Sequence, residues 1–192
     1  MSVIFKFVTF IRTLFTKYRL DYYRHLYGGK VSIASDVIFG SGSHISIPFN
    51  VTEAKLVIGN NTRFRQYCIV TLDALGHLTI GNNTFFNNYC SLNCLGRVVI
   101  GDNTLFGEAV RLYDHNHLFN KKGALIEEQG FNIGFIEIGN NCWIGSNVVI
   151  LRNVKIGDNV VIGAGCIIDS SIPSNTIVKS TRINVHQEIM FR

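Results

Sequence analysis

The sequence predicts an all-β solenoid built from six-residue repeats. Between residues 138 and 168 an isoleucine recurs at every sixth position, and glycine directly follows four of the six. A second apolar series, offset by two residues, comprises Cys142, Val148, Val154, Val160 and Cys166. An α-helix would repeat its apolar side every 3.6 residues and a simple strand every 2 residues, so neither explains the pattern. Six-residue repeats are typical of coils of short strands, in which each unit buries its apolar side by stacking on its neighbours.

We divide the chain into a basic amphipathic segment (1–29), a solenoid (30–172) and a tail (173–192). The repeats begin at Ile33, Phe39 and Ile45, six residues apart. An Ile-Gly-Asn/Asp-Asn-Thr phrase then returns at 58–62, 80–84 and 100–104, in steps of 22 (80 minus 58) and 20 (100 minus 80) residues. Three six-residue repeats make one triangular turn, so we expect small loops to bulge at corners near 74–76 and 94–96.

The period is lost between residues 113 and 136, a stretch that carries several charges and two histidines. Long aperiodic loops inside a regular domain are usually active-site or binding loops. We therefore predict an excursion loop here, and it is the first place to look for chemistry.

Composition argues against several classes of function. The net charge is +5, but residues 1–30 hold six basic residues against one acidic residue, whereas the remainder holds twelve of each. The folded body therefore has no net basic excess of the kind that nucleic-acid binding needs. Five cysteines, two of them in the inward apolar series, predict buried thiols in a reducing, cytoplasmic compartment. No Cys-x-x-Cys pair is present, and we expect no metal.

The first 27 residues are amphipathic, with Ile4, Val8, Ile11, Phe15 and Tyr18 on one helical side and most basic residues elsewhere. Too many charges interrupt the apolar side for the segment to span a bilayer. It is expected either to pack on the solenoid and cap its open end or to contact the inner membrane surface peripherally. No signal peptide is recognisable, because Lys6, Arg12 and Lys17 interrupt the apolar run.

The C-terminal third resembles a known family. The phrases 142–146, 162–165 and 172–175, which read CWIGS, IGAG and IPSN, resemble the hexapeptide-repeat acyltransferases with a left-handed parallel β-helix. Within that superfamily the chain looks most like the galactoside/maltose acetyltransferases and the polysaccharide O-acetyltransferases. The resemblance implies a left-handed coil, acetyl-CoA as acyl donor, and a homotrimer with active sites between subunits.

The resemblance also implies a catalytic residue. The phrase from Tyr113 to His117 matches the place where the family carries its catalytic histidine, and His115 is the matching position. A sugar hydroxyl is a poor nucleophile at neutral pH, and imidazole is a base suited to taking its proton. His117 is the competing candidate. Asp114 is expected either to orient an imidazole or to bind a sugar hydroxyl.

Further contacts follow from the same family. Coenzyme A is expected to contact backbone groups at Gly145, Ser146, Gly163 and Ala164, and Trp143 corresponds to a tryptophan near the site of acyl transfer or simply packs against another subunit. The sequence departs from the family's pattern at 169–170 and 179–182, where the nucleotide phosphates would lie. Lys179 and Arg182 are the residues there that could supply positive charge.

The leading hypothesis is an acetyl-CoA-dependent O-acetyltransferase that acts on a sugar hydroxyl of a bacterial surface polysaccharide or its precursor. The alternative is an N-acetyltransferase that acts on a nucleotide-linked amino sugar. A remoter alternative is a metal hydratase like the γ-type carbonic anhydrases, for which His77, His115 and His117 could be nominated although their spacing does not match. A non-catalytic scaffold is the fourth.

Overall fold

The computed structural model describes residues 17–73 and 75–181, and shows a parallel β-solenoid of about six turns. Each turn contributes one strand to each of three sheets, and the predicted fold class is confirmed, including the left-handed β-helix. Sheet A contains β1 (Val31–Ile33), β4 (Lys55–Ile58), β7 (His77–Ile80), β10 (Arg97–Ile100), β15 (Phe135–Ile138) and β18 (Val154–Ile156).

The other two main sheets follow the same order along the solenoid. Sheet B contains β2 (Ile38–Phe39), β5 (Arg63–Phe64), β8 (Phe85–Phe86), β11 (Leu105–Phe106), β16 (Trp143–Ile144), β19 (Val161–Ile162) and β21 (Ile177–Val178). Sheet C contains β3 (His44–Ser46), β6 (Ile69–Leu72), β9 (Ser91–Cys94), β12 (Arg111–Tyr113), β17 (Val149–Ile150) and β20 (Ile167–Ile168). A small antiparallel sheet pairs β13 (His115–His117) with β14 (Phe131–Ile133).

The core consists of columns of like residues that stack from turn to turn. All six isoleucines of the 138–168 series are buried, as are the two cysteines and three valines of the offset series. Inside sheet B, four phenylalanines stack nearly parallel with ring centroids 4.5 to 4.7 Å apart: Phe39, Phe64, Phe86 and Phe106. This spacing is close to the 4.7–4.9 Å between neighbouring strands, so ring stacking and backbone pairing reinforce each other.

The corners between sheets depend on residues in the left-handed region. Eleven described non-glycine residues have positive φ, and eight of them are asparagines. At the corner between sheets A and B these asparagines also form side-chain ladders, such as Asn61 to Asn83 (3.0 Å) and Asn141 to Asn159 (2.8 Å). Asparagine tolerates this conformation better than other side chains do. The three exceptions, Tyr67, Tyr89 and Ala109, all lie at the corner between sheets B and C.

Residues 17–27 form helix α1, followed by a 3₁₀ turn over Gly28–Lys30. The helix packs on the first coils, where Leu20 and Tyr23 are buried and Tyr27 donates a hydrogen bond to the Ile45 carbonyl (3.0 Å). Arg19 donates to the carbonyl of Gly40 (2.9 Å). For these residues the structure therefore shows the expected packing at the N-terminal end, while Ile4, Val8, Ile11 and Phe15 lie outside the described residues. No helix within 17–73 and 75–181 is long and apolar enough to cross a membrane.

The corner between sheets C and A is where the chain lengthens. Residues 47–54, 73, 75–76 and 95–96 all lie there, and so does the excursion, which holds β13, a 3₁₀ turn over Ile126–Gln129 and β14. Sheet A resumes at Phe135, so the last two residues of the predicted 113–136 excursion already belong to a coil. At the C-terminal end, β21 continues sheet B beyond residue 172, where the tail was expected to begin.

The phenylalanine column makes a stability prediction. Replacing Phe86, which is fully buried, with alanine should lower the free energy of unfolding by roughly 3–5 kcal/mol, because a cavity opens between two stacked rings. Phe85→Ala is the matched control in the same strand, since its side chain faces outward and its loss should be about 1 kcal/mol or less. Urea denaturation followed by circular dichroism measures both, and equal losses would contradict the stacking account.

Candidate active site

His115 and Asp114 form a hydrogen-bonded pair at the start of the excursion. The His115 Nδ1 lies 2.9 Å from Asp114 Oδ1, and the Asp114 side chain is fully buried. Because a carboxylate accepts, Nδ1 carries the proton and Nε2 is left with its lone pair free. The His115 side chain is 15% exposed, so the ring is held in the protein but still reaches solvent. This arrangement of acid and imidazole is the one that prepares a histidine to act as a base.

Asp114 is anchored to the preceding coil. Its Oδ1 accepts a hydrogen bond from the Leu95 backbone N–H (3.0 Å), and its Oδ2 accepts one from Gly96 (2.8 Å). Burial raises the pKa of the Cys94 thiol, and the neighbouring Asp114 carboxylate raises it further. The thiol therefore stays protonated beside the carboxylate. Of the two predicted roles for Asp114, the geometry supports orientation of the imidazole, because a fully buried side chain does not reach a substrate.

A close contact between chain segments fixes the position of the pair. A Cβ on Gly96 would lie 2.4 Å from the Gly134 carbonyl oxygen and 2.6 Å from Ile133 Cγ2. The end of the excursion therefore packs directly on the Gly96 backbone, and the Gly134 N–H donates to the Asp114 carbonyl (2.7 Å). Only glycine leaves room for this approach. The excursion thus leaves and re-enters the solenoid at one tightly packed point.

Aromatic rings surround the His115 imidazole. Phe131 meets it edge-on with centroids 5.2 Å apart, and Tyr113 does so at 6.5 Å. The His117 ring also contacts Phe131, with centroids 4.5 Å apart, but its side chain is exposed and no carboxylate contacts it among the described residues. The structure therefore distinguishes the two histidines that the sequence alone placed side by side, and favours His115.

The residues expected to contact coenzyme A lie along the corner between sheets B and C. Gly145 and Ser146 follow β16, Gly163 and Ala164 follow β19 one coil later, and Lys179 follows β21 in the next coil. Gly145 donates its N–H to the Ile162 carbonyl (2.7 Å), and Gly163 to the Val178 carbonyl (2.8 Å). Five of the six predicted residues thus form one column, which we call the donor column. Arg182 lies outside the described residues.

Two backbone N–H groups of the donor column have no hydrogen-bond partner among residues 17–73 and 75–181. In the earlier coils the equivalent N–H groups are capped by side chains, as when Asn88 Oδ1 accepts from Gln66 (3.2 Å) and Ser146 Oγ accepts from Glu108 (3.1 Å). For Ser146 and Ala164 themselves no acceptor is found among the described residues. Unpaired donors at successive coils can bind carbonyl or phosphate oxygens of a ligand that runs along the corner.

Trp143 lies in β16 on sheet B and is 57% exposed. His115 follows a strand of sheet C, so the two residues lie on different sides of the triangular coil and do not face each other within one chain. In residues 17–73 and 75–181, no group of three or more His, Cys, Asp or Glu side chains could hold a metal ion.

Comparison with known proteins supports the fold. The sequence model for the bacterial transferase hexapeptide family (six repeats) matches residues 135–170, which confirms the predicted resemblance for that segment. A solved structure of a mutant of AntD, an N-acyltransferase from Bacillus cereus, in complex with dTDP and coenzyme A, is 20% identical, with 90% of this chain and 91% of that chain covered and a TM-score of 0.65.

Two further structures are similar. Another mutant of AntD, in complex with dTDP-4-amino-4,6-dideoxyglucose and coenzyme A, is 19% identical and covers 88% of this chain and 90% of its own, with a TM-score of 0.63. The hexapeptide-repeat-containing acetyltransferase of Vibrio cholerae O1 biovar eltor, complexed with acetyl coenzyme A, is 22% identical and covers 83% and 70%, with a TM-score of 0.50. Among curated protein sequences, none is similar enough to this chain to count as a match.

The anchoring of Asp114 can be tested without a substrate. Asp114→Asn should lower the free energy of unfolding by about 1–3 kcal/mol, because an amide NH₂ group, which only donates, replaces one of two buried oxygens that both accept hydrogen bonds. Asp169→Asn, at an exposed corner, is the control and should change it by less than about 0.5 kcal/mol. Denaturant titration gives both values. An unchanged free energy of unfolding in Asp114→Asn would contradict the hydrogen bonds assigned to the Asp114 carboxylate.

Proposed function

We propose that the protein is an acetyl-CoA-dependent O-acetyltransferase, with His115 as general base, that acts on a sugar hydroxyl of a bacterial surface polysaccharide or its precursor. The observation that carries the proposal is the hydrogen bond between buried Asp114 and solvent-accessible His115 at the excursion of a hexapeptide-repeat solenoid. Solved structures with this fold include acyltransferases with coenzyme A or acetyl coenzyme A bound, which supports the reaction class.

The chemistry follows from the orientation of the imidazole. His115 Nε2 takes the proton of the acceptor hydroxyl as its oxygen attacks the thioester carbonyl. Asp114, bonded to Nδ1–H, stabilises the imidazolium that forms. When the tetrahedral intermediate collapses, the C–S bond breaks and the proton passes from the imidazolium to the thiolate of coenzyme A. One acetyl group moves from sulfur to oxygen, and no acyl-enzyme is needed.

The donor column supports the placement of the acyl donor. Its free N–H groups at Ser146 and Ala164 would bind carbonyl oxygens of the pantetheine chain, and Lys179 would lie near the phosphates at the C-terminal end. The donor column and His115 lie at opposite ends of the strands of sheet C. In a homotrimer, a neighbouring subunit would complete the groove, and exposed Trp143 would face that neighbour.

A second acceptor class is favoured by one comparison. The AntD structures hold dTDP or a dTDP-linked 4-amino sugar with coenzyme A. Their similarity to this chain extends over about nine tenths of both chains. An amine acceptor on a nucleotide-linked sugar is therefore the alternative to a hydroxyl acceptor. Comparing acetylation of amino and hydroxy sugars, free and nucleotide-linked, separates the two.

The assignment of the base makes a kinetic prediction. His115→Ala should lower the rate of coenzyme A release by about 100- to 10,000-fold with little change in acetyl-CoA binding, because only proton transfer is lost. His117→Ala is the matched control, and it should retain most of the wild-type rate since His117 contacts no carboxylate in the described part of the chain. A thiol-trapping assay with a panel of sugar acceptors measures both. Similar rates for His115→Ala and wild type would remove His115 from the mechanism.

The donor column makes a binding prediction. Lys179→Ala should raise the KM for acetyl-CoA by about two- to fivefold and leave kcat unchanged, because an exposed charge pair contributes up to about 1 kcal/mol. Lys55→Ala, an exposed lysine on sheet A near the other end of the solenoid, should leave both constants unchanged. An unchanged KM in Lys179→Ala would place the phosphates elsewhere.

The N-terminal segment is proposed to bring the enzyme to the cytoplasmic membrane surface, where lipid-linked glycan precursors lie. Within residues 17–27, Leu20 and Tyr23 pack on the solenoid and Tyr18 and Tyr22 are exposed, so we assign most of the membrane contact to the preceding residues of the 1–27 segment, beside these two tyrosines. Co-sedimentation with anionic liposomes should be lost when residues 1–16 are removed. Equal sedimentation of both proteins would leave capping as the function of the segment.

A further inference from the structure

One corner of the solenoid departs from the rule that asparagine or glycine occupies the left-handed position. At the corner between sheets B and C, successive coils place six residues in register: Gly42, Tyr67, Tyr89, Ala109, Asn147 and Gly165. Tyr67, Tyr89 and Ala109 have φ values of 57°, 63° and 54°. A bulky side chain at positive φ is unfavourable, and such outliers concentrate at functional sites.

The two tyrosines form an exposed stack. Their rings are nearly parallel (4°) with centroids 5.4 Å apart, yet Tyr67 is 50% and Tyr89 56% exposed. The lower face of the stack is closed, because the Tyr67 ring lies where a Cβ on Gly42 would be, 2.3 Å from its Cδ1. Burial of apolar surface therefore does not explain two strained, solvent-facing rings.

No further ring among the described residues stacks on the other face of Tyr89, because the next residue in the column is Ala109. A ring there would continue the stack over Tyr89, but alanine supplies only a methyl group. Coils are spaced by about 4.8 Å, so the layer of Ala109 leaves a slot about one aromatic ring thick between Tyr89 and Asn147. We call this space, bounded by Tyr89, Ala109 and Asn147, the ring slot.

Charged and polar groups adjoin the ring slot on both sides. Arg111 is exposed and its guanidinium lies beside the Ala109 carbonyl (3.4 Å), on the strand β12 that leads to His115. On the other side, Glu108 accepts a hydrogen bond from Asn88 (2.9 Å). From Ala109 to His115 the chain crosses sheet C in six residues, which is at most about 20 Å. A ligand that carries a planar ring, an anionic group and a reacting group could therefore extend from the ring slot, past Arg111, to His115.

We infer that the ring slot binds a nucleobase, stacked on Tyr89, with Arg111 beside the phosphates attached to it. The inference rests on the proposed function only for the position of the reacting group. A nucleotide-linked sugar, with its base in the slot, would extend across sheet C toward His115. The slot lies on the N-terminal side of the donor column, which favours the nucleotide carrier of the acceptor over the adenine of coenzyme A as the source of the base.

The chain itself supplies the most direct blocking variant. Ala109→Tyr introduces the side chain that the column already carries at 67 and 89 in the same backbone conformation, so it fills the slot with a residue that this conformation accommodates elsewhere in the column. Ala109→Ser is the matched control that leaves the slot open. Tyr89→Ala removes the stacking face and Tyr89→Phe keeps it, and this second pair carries the test if Ala109→Tyr does not fold.

Binding of dTDP, UDP and coenzyme A to the full-length protein and these variants is measured by isothermal titration calorimetry. Ala109→Tyr and Tyr89→Ala should weaken dTDP or UDP binding by about tenfold or more, since base stacking on an aromatic ring contributes roughly that much. Wild type, Ala109→Ser and Tyr89→Phe should bind alike, and coenzyme A affinity should stay unchanged. A loss confined to coenzyme A would place the adenine of the donor in the slot and would contradict its assignment to a nucleotide carrier of the acceptor.

Three results would overturn the inference. Equal nucleotide binding by Ala109→Tyr and Ala109→Ser would show that the slot is not used, and so would a wild-type protein that binds coenzyme A but neither dTDP nor UDP. A changed oligomeric mass in Ala109→Tyr alone, measured by light scattering, would assign the column to a contact between subunits. Absence of coenzyme A binding by wild type would instead overturn the proposed function, so the two failures are distinguishable.

Discussion

In-register stacking of successive coils is the constraint on which the whole structure depends. Each coil hydrogen-bonds its backbone to the next, as in Gly101 N–H to the Ile138 carbonyl (2.8 Å), so every side chain stands directly above its counterpart. Residues of one column must then suit one another in size and polarity, which is why phenylalanine stacks on phenylalanine inside sheet B and asparagine on asparagine at the corners. A residue that differs from the rest of its column is consequently informative.

The same constraint decides where a functional loop can leave the coil. An insertion within a strand would shift its register and turn buried residues outward, whereas an insertion at a corner leaves both flanking strands paired. The excursion leaves from the corner between sheets C and A, which is already lengthened in the earlier coils. Asp114 then bonds the excursion to Leu95 and Gly96 of the coil below. His115 is thus held by the solenoid itself, although it lies in a loop.

The sequence predicts the parts of the molecule that repeat and not those that depend on contacts between irregular coils. The 138–168 series predicts the solenoid and its buried residues, and the resemblance to a family points to His115. Burial of Asp114 could not be predicted, because its partners lie 18 and 19 residues earlier in a coil of different length. The Tyr67–Tyr89 stack has the same 22-residue spacing as the step from 58 to 80, but the left-handed backbone and the exposure of both rings that set it apart are visible only in the structure.

The change in coil length along the solenoid separates two kinds of surface. From β15 to β20 the strands pair at a spacing of 18 residues, as in Ile138 with Ile156, so the corners carry no inserted loops, and the backbone N–H groups of Ser146 and Ala164 have no partner among the described residues. Before β10 the coils are longer, and their corners carry loops, side-chain caps and the tyrosine stack. The excursion that carries His115 leaves the solenoid at the junction between these two halves. If the extended acyl donor binds the later coils and the acceptor binds the earlier ones, the base must lie at their junction, because only there do the two reacting groups meet.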